Sequence, residues 1–389
     1  MPFTLYLLAL AVFVMGTSEF MLAGLLPSIA ADLDVGVGTV GLLTSAFAIG
    51  MVVGAPVTAA FARRWPARSA LTACVVVFAA CHVIGALTPE FPVLFATRVV
   101  GALSNAGFLA VALTATIGLV AEDRKGRALA ILLSGTTVAT VAGVPAGALI
   151  GTAFGWRTTF WLIAVLCVPA VVGILAGIPR RDTGAERDDP APVPLVDELR
   201  PLRSPRLLVA MLLGALVNGG TFAAFTYFAP IVTGTAGLDE GWVPVILVLF
   251  GVGSFVGVNL AGRLSDRHPG RVIAICGPLL AAGWVALALL AAHPVALVVL
   301  AFAQGLLAFA VGSTLIARVL YAASDAPTMG GAYATAALNV GAAGGPAIGG
   351  VMLGSAAGLL APVWVAAAMT VVALAIALPS AYRRGRGMP

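Results

Sequence analysis

One acidic side chain lies within a long apolar stretch near the N-terminus. Glu19 occurs in a segment that runs from about residue 3 to 26, whereas the other fifteen of the sixteen acidic residues lie in polar segments or at their edges. An ionised group at the centre of a bilayer costs about 2.5–3.5 kcal/mol on insertion scales, and such groups usually face a cavity. We therefore predict that Glu19 binds and releases a proton. The alternative is a structural carboxyl that hydrogen-bonds to the hydroxyl of Thr17 or Ser18.

Arg98 is the one basic residue placed deep inside a predicted helix, away from its ends. At a rise of 1.5 Å per residue it lies roughly 10 Å from the outer end of its helix. Glu19 lies roughly 24 Å along a hydrocarbon core about 30 Å thick, so both fall in the outer half. An apolar setting favours the protonated carboxyl and a nearby arginine favours the ionised one. We predict that Arg98 biases the protonation of Glu19, and a permanent structural ion pair is the alternative.

A few further polar side chains lie within apolar stretches and could form a mostly apolar pocket with scattered hydrogen-bonding groups. Such pockets are typical of small-molecule sites. The predicted substrate-binding residues are Asn105, Asn218, Phe222, Phe225, Tyr227, Gln304 and Asn339. Hydrogen bonds that join neighbouring helices are the alternative for each polar residue.

The histidines and cysteines show no metal-ligand spacing. His82, His268 and His293 are scattered and have no visible nucleophile partner, so we expect them to be structural or solvated. The four cysteines all lie in apolar stretches and are assigned to packing. The sequence also has no phosphate-binding loop, so we expect no metal, no bound cofactor and no enzymatic activity.

The composition requires a lipid environment. Hydrophobic residues make up 61% and charged residues 10% of the chain, which leaves too little charge to cover a soluble domain. A helix that spans a bilayer needs about 20 largely apolar residues. Twelve stretches meet this need, at about 3–26, 39–62, 69–88, 91–120, 127–151, 158–178, 207–233, 241–262, 271–291, 294–320, 330–354 and 359–381. The predicted fold class is therefore an all-α membrane protein of twelve helices.

Basic residues lie on one side of these helices. With the N-terminus inside, nineteen of the 21 Lys and Arg residues fall in inward loops or in the C-terminal tail, and Arg157 falls in an outward loop. The positive-inside rule then places both termini in the cytoplasm. Topology accounts for the net charge of +5, so we expect no nucleic-acid partner.

The chain contains two related halves. We predict an N-terminal bundle over 1–178, a cytoplasmic linker over 179–206 that is rich in Pro, Asp, Glu and Arg, and a C-terminal bundle over 207–389. A shift of 203 residues takes Gly50 to Gly253 and Gly54 to Gly257, and it also relates prolines and arginines in the following loops. Duplicated halves are the expected architecture of a transporter that alternates around a midplane site.

Two helices and one loop carry further motifs. Gly143, Pro145 and Gly147 in helix 5, with Gly345 and Pro346 in helix 11, predict kinked and smooth surfaces that could open and close. Simple tight packing is the alternative. The loop after helix 8 could form a latch at the inner face, and its candidate residues are Gly262, Asp266, Arg267 and Arg271.

Taken together, these motifs resemble those of the major facilitator superfamily, and specifically its twelve-helix drug:proton antiporters. Residues 262–271 resemble the family's loop motif, Arg98 matches the arginine of its helix 4 motif, and residues 143–147 resemble its helix 5 antiporter motif. The first-half loop departs from the pattern, since Arg63 replaces the acid. The resemblance implies two pseudo-symmetric six-helix bundles and a proton gradient as the energy source.

Within that family the chain resembles the chloramphenicol exporters of actinobacteria over residues 15–24, 105–112, 218–223, 311–316 and 334–339. The resemblance implies proton-driven efflux of chloramphenicol or related small drugs, with resistance as the result. We expect a monomer in the cell membrane whose partners are the drug, protons and the lipid bilayer. An exporter of a sugar or another metabolite is the alternative, and a passive channel or membrane sensor is the alternative of another class.

Overall fold

The regular structure is helical throughout the part of the chain that can be described. The computed structural model describes residues 2–62, 65–121, 124–178, 200–265, 269–323 and 330–385. Twelve long helices follow one another through these ranges: α1 Phe3–Phe20, α2 Val37–Ala62, α3 Ala67–Leu87, α4 Phe91–Gly118, α5 Lys125–Val138 with its continuation Val144–Phe154, α6 Trp156–Gly177, α7 Pro205–Thr226, α8 Trp242–Ser265, α9 Pro269–Leu290, α10 Pro294–Ala322, α11 Gly330–Met352 and α12 Ala361–Gly385. Shorter helical segments are Met21–Gly24, Leu26–Asp32, Arg200–Arg203, Phe228–Pro230, Ile231–Thr235 and Gly358–Leu360.

Eleven of these helices, counted over the described residues, are long and apolar enough to cross a membrane. The twelfth is α11, whose 23 residues also suffice to span the hydrocarbon core. Its many glycines, with Asn339 and Pro346, reduce its mean hydropathy. The prediction of an all-α membrane protein is confirmed.

The chain divides into two compact units. The first comprises Met1–Val35 and Ala46–Pro192, and the second comprises Gly36–Ser45 and Val193–Pro389. The beginning of α2 therefore groups with the second unit. Most of the predicted linker, residues 179–199, lies outside the described residues, so the domain boundaries stay a prediction.

Close contacts between helices of the first unit recur within the second unit, at positions 203 residues later in the sequence. A Cβ atom added at Gly50 of α2 would overlap the Val99 carbonyl oxygen of α4, and one added at Gly253 of α8 would overlap that of Phe302 in α10. Phe302 is the residue that lies 203 positions after Val99. The same relation holds for a second set, Gly54 with Leu103 and Gly257 with Leu306. Small residues that let backbones approach closely are a typical packing device of membrane helices.

Arg157, the basic residue predicted to lie outside, belongs to a polar cluster at the start of α6, within the first unit. Its guanidinium forms an ion pair with Asp32 and donates a hydrogen bond to the Thr88 carbonyl oxygen at 3.1 Å. It also stacks over the Trp156 ring at 4.4 Å, and the Trp156 indole donates to Asp32 at 3.2 Å. Gly155, which begins this turn, has a φ of 84° that favours glycine. Asp32 therefore neutralises the one positive charge predicted outside.

The Gly253 contact gives a test of this packing. We expect Gly253→Ala to lower the melting temperature of the purified protein, because the new methyl group meets a backbone carbonyl that cannot rotate away. Overpacking of this kind typically costs about 1–3 kcal/mol. The matched control is Gly312→Ala in α10, where, among the described residues, no atom of another helix lies within 4 Å of the added Cβ. Equal melting temperatures for the two variants would contradict the contact.

Candidate functional site

A buried arginine joins α4 to α1 in the first unit. Arg98 has only 2% of its surface exposed, and its two terminal nitrogens donate to the Ser18 hydroxyl at 2.8 Å and to the Ser18 carbonyl at 2.9 Å. Its guanidinium carbon also lies 4.4 Å from the centre of the Phe47 ring, a cation–π distance. Arginine suits such a site because its planar fork can serve two acceptors at once.

Glu19 is the next residue along α1 and is partly buried. Its carboxylate interacts electrostatically with Arg98, as the sequence predicted. Among the described residues, however, the hydrogen bonds of Arg98 go to Ser18, and no ion pair within 4 Å joins Arg98 to Glu19. The Arg98 Nε atom is buried without a hydrogen-bond partner in this part of the chain. The structure thus brings the two residues together without closing a permanent ion pair, and their role in coupling stays a prediction.

His82 of α3 belongs to the same cluster, which the sequence analysis missed. Its Nε2 atom lies 2.6 Å from the Ser18 hydroxyl oxygen, and its Nδ1 atom lies 2.8 Å from the Phe78 carbonyl oxygen. The ring is 3% exposed and packs beside the rings of Phe78 and Phe160, at 4.4 and 5.5 Å between centroids. The sequence shows His82 as a lone histidine in an apolar stretch. That pattern does not identify its partner Ser18, which lies 64 residues away.

The helix 5 motif packs against α1 beside this cluster. A π-helical turn, Ala139–Gly143, interrupts α5 just before Pro145. A Cβ atom added at Gly143 would overlap the hydroxyl of Thr17, which is buried and has no hydrogen-bond partner among the described residues. Gly147 lies one turn later, and its carbonyl accepts a hydrogen bond from Thr159 of α6 at 3.0 Å. The motif therefore packs closely against the turn of α1 that contains Thr17.

The polar residues predicted to bind substrate mostly contact helix backbones. The amide of Asn218 donates to the Leu338 carbonyl in α11 at 2.7 Å, and that of Gln304 donates to the Leu280 carbonyl in α9 at 3.2 Å. Asn339 donates within its own helix at 3.0 Å. Asn105 is buried in α4. The first two fit the helix-contact alternative, and the binding role of all four stays a prediction.

Tyr227 and the helix 11 motif meet within the second unit. The Tyr227 hydroxyl is buried and donates to the Pro346 carbonyl at 2.9 Å. A Cβ atom at Gly345 would overlap the Gly219 carbonyl of α7, and the Ser45 hydroxyl at the start of α2 donates to an α11 carbonyl at 2.7 Å. This packing fits the tight-contact alternative for the helix 11 motif.

An aromatic cluster forms in the second unit. The predicted residues Phe222 and Phe225 pack with ring centroids 6.2 Å apart, and Phe225 lies 5.0 Å from Phe250. Phe228 and Phe309 extend the cluster, each in edge contact with Phe250. Phe222, Phe225, Phe228 and Phe250 are buried, so these rings pack mainly on one another, and a binding role for Phe222 and Phe225 stays a prediction.

The predicted inner latch falls largely outside the described residues. Asp266 and Arg267 lie in the undescribed segment 266–268, whereas Gly262 is part of α8 and Arg271 is an exposed residue of α9. In the described part of the chain, no group of three His, Cys, Asp or Glu side chains is placed to hold a metal ion.

Comparison with known proteins identifies the family. The profile of the Major Facilitator Superfamily matches residues 8–267, which is more than half of the chain. The chain belongs to the major facilitator superfamily. It is therefore a multi-pass membrane transporter, and the predicted resemblance is confirmed.

Two relatives and one solved structure span nearly the whole chain. A "Chloramphenicol resistance protein" of Streptomyces lividans is 62% identical over 380 residues, covering 97% of this chain and 96% of the relative. The "Inner membrane transport protein YdhP" of Escherichia coli (strain K12) is 31% identical, covering 92% and 90%. The crystal structure of a bacterial homologue of the human lysosomal transporter Spinster has a TM-score of 0.69 at 16% identity, covering 97% and 94%. The last likeness concerns the fold alone.

The contact between Gly143 and Thr17 predicts a compensating pair of substitutions. We expect Gly143→Ala to reduce both protein stability and transport, because its methyl group overlaps the Thr17 side chain. Thr17→Ala in the same chain should restore part of both, since it removes the overlapping hydroxyl and a buried polar group that has no partner. Melting temperature and transport rate of the single and double variants provide the measurement. A double variant no better than Gly143→Ala would contradict the contact.

Proposed function

We propose that this transporter exports chloramphenicol or related small drugs across the cytoplasmic membrane in exchange for protons, and thereby gives resistance. The observation that carries the proposal is the 62% identity with the Streptomyces lividans chloramphenicol resistance protein over almost the full length of both chains. If one of the two chains lacked a whole helix of the other, the aligned share of the chains would be smaller. The substrate assignment rests on that likeness.

Glu19 is the proposed proton carrier. Its carboxylate lies in the field of Arg98 but does not share a close ion pair with it in the described structure. A carboxylate locked in a bidentate pair would stay ionised, whereas one that is near a cation and partly buried can change its protonation when its surroundings change. The arrangement therefore favours a coupling carboxyl over a permanent structural pair.

Proton entry provides enough free energy for export of a neutral drug. One charge that moves down a membrane potential of 100 mV supplies about 2.3 kcal/mol. A tenfold concentration gradient costs about 1.4 kcal/mol. Exchange of one proton for one drug molecule therefore supports roughly 40-fold depletion at that potential, before any pH gradient is counted.

The proposal includes several further features of the working protein. Protons are the coupling ion, no cofactor or metal is required, and the chain acts as a monomer rather than as an enzyme or a nucleic-acid-binding protein. Both termini lie in the cytoplasm, since nineteen of the 21 basic residues then lie in inward loops or the C-terminal tail. The drug reaches its site from the cytoplasm or the inner leaflet and leaves outside.

Chloramphenicol accumulation in drug-sensitive cells tests the proposal. We expect cells that express the wild-type chain to accumulate less drug than cells without it, and a protonophore to abolish the difference. Glu19→Gln should abolish it too, because the amide cannot take up and release a proton. The matched control is Glu90→Gln at the start of α4, an exposed acid that should leave export unchanged. Protein amounts in the membrane fraction are compared by immunoblot.

Three results would contradict the proposal in different ways. Full export by Glu19→Gln would exclude Glu19 as the proton carrier. Drug movement that runs only down its concentration gradient and is unaffected by the protonophore would favour a passive channel. Normal accumulation in cells that express the wild-type chain would favour the alternative of a sugar or metabolite exporter.

A further inference from the structure

Three helices of the first unit are connected by a chain of buried hydrogen bonds. It runs from the Phe78 carbonyl through the His82 ring on α3 to the Ser18 hydroxyl on α1, and from there to Arg98 on α4. The three donor–acceptor distances are 2.8, 2.6 and 2.8 Å. Ser18, His82 and Arg98 are 0%, 3% and 2% exposed, so bulk water does not compete for these groups.

The hydrogen positions in this chain follow from the chemistry of its two ends. A carbonyl oxygen can only accept, so the His82 Nδ1 atom that faces Phe78 carries a hydrogen. A guanidinium can only donate, so the Ser18 oxygen accepts from Arg98. The Ser18 hydroxyl hydrogen then points to the bare Nε2 atom of His82, so both ring nitrogens of His82 and the Ser18 hydroxyl have partners. A doubly protonated ring would direct two donors at the Ser18 oxygen and would add a second cation beside Arg98.

We infer that His82 is a positioning residue for proton coupling. As a neutral Nδ1–H imidazole, His82 holds the Ser18 hydroxyl so that its oxygen faces Arg98. Ser18 in turn holds the guanidinium away from a close ion pair with Glu19. This inference rests on the proposed proton-driven export. His82 touches neither the drug nor the exchanged proton. It acts through Ser18 on the position of the Arg98 charge. In functional sites, the residues that react are commonly held in place by such hydrogen bonds from residues behind them.

Loss of the His82 acceptor changes the partners of the Arg98 guanidinium. Without it the Ser18 hydroxyl turns to another acceptor, and its oxygen no longer presents a directed lone pair to Arg98. The guanidinium, which already has one unpartnered buried N–H, is then free to bind the neighbouring carboxylate. A close pair favours the ionised carboxylate. Proton uptake at Glu19 becomes harder, whereas exchange of drug for drug, which needs no net proton movement, continues.

Two amide variants separate the roles of the two ring nitrogens. The side-chain amide of Gln reaches about as far as Nε2, so His82→Gln keeps an acceptor for the Ser18 hydroxyl. The shorter Asn reaches only to the Nδ1 position, so His82→Asn keeps the donor to Phe78 and loses the acceptor. Ser18→Ala removes the hydroxyl itself. Each purified variant is placed in phospholipid vesicles, and two activities are measured with radiolabelled chloramphenicol: uphill movement driven by an imposed pH gradient, and exchange against unlabelled drug without a gradient.

We expect His82→Asn and Ser18→Ala to lose uphill movement by roughly tenfold or more, the size expected when one hydrogen bond to a charged group is lost. Both should keep drug exchange near the wild-type rate, and His82→Gln should keep both activities. The double variant with Ser18→Ala and His82→Asn should be no worse than either single variant, because the two residues act in one chain.

The outcomes that would overturn the inference are distinct from failure of the proposed function. A merely structural histidine would lower both activities together in His82→Asn, and an irrelevant one would leave uphill movement intact. Equal loss in His82→Gln and His82→Asn would also overturn the role of Nε2. If wild-type vesicles show no uphill chloramphenicol movement, the proposed function itself fails, and the inference that rests on it fails too.

Discussion

The contact between Arg98 and Ser18 is the interaction on which the account depends. A guanidinium inside an apolar bundle must find acceptors, because an unpaired buried charge is strongly destabilising. In the described residues these acceptors are the hydroxyl and carbonyl oxygens of one serine, together with the face of the Phe47 ring. The carboxylate of Glu19, one residue further along α1, is therefore near a cation without being bound tightly to it. In the proposed mechanism, such a carboxyl remains able to take up and release a proton.

The two halves share their packing but not their chemistry. The shift of 203 residues preserves the glycine contacts between α2 and α4 and between α8 and α10. The same shift places Phe222 where the first half has Glu19, and Ala301 where it has Arg98. Phe250, which corresponds to Phe47, packs on other rings instead of on a cation. Duplication thus retained a scaffold of close helix contacts, while the charged cluster lies in the first half and an aromatic cluster lies in the second.

The features that the sequence predicted follow from apolar runs, from residues repeated in register and from depth along a helix. Helix positions follow from runs of apolar residues, and the repeat follows from glycines in register. The approach of Glu19 and Arg98 follows from their depths along two helices. Sequence reasoning could not find the partner of His82, since that partner lies 64 residues away and a serine in an apolar helix has many possible neighbours. For the same reason it left open whether Asn218 and Gln304 face a pocket, and the structure directs both amides to carbonyls of adjacent helices. Side-chain partners between distant helices depend on rotation about each helix axis, which apolar helices with weak amphipathic patterns do not specify.

Proton release on drug binding tests the central claim most directly, because it reports the exchange of proton for drug at one site without any membrane or gradient. Purified protein in a weakly buffered detergent solution is mixed with chloramphenicol, and the pH change is followed with a soluble indicator dye. The account predicts that the wild-type chain releases protons when the drug binds, and that Glu19→Gln releases none under the same conditions. Proton release by the Glu19→Gln variant that equals that of the wild type, or drug binding to the wild type without any release, would contradict it.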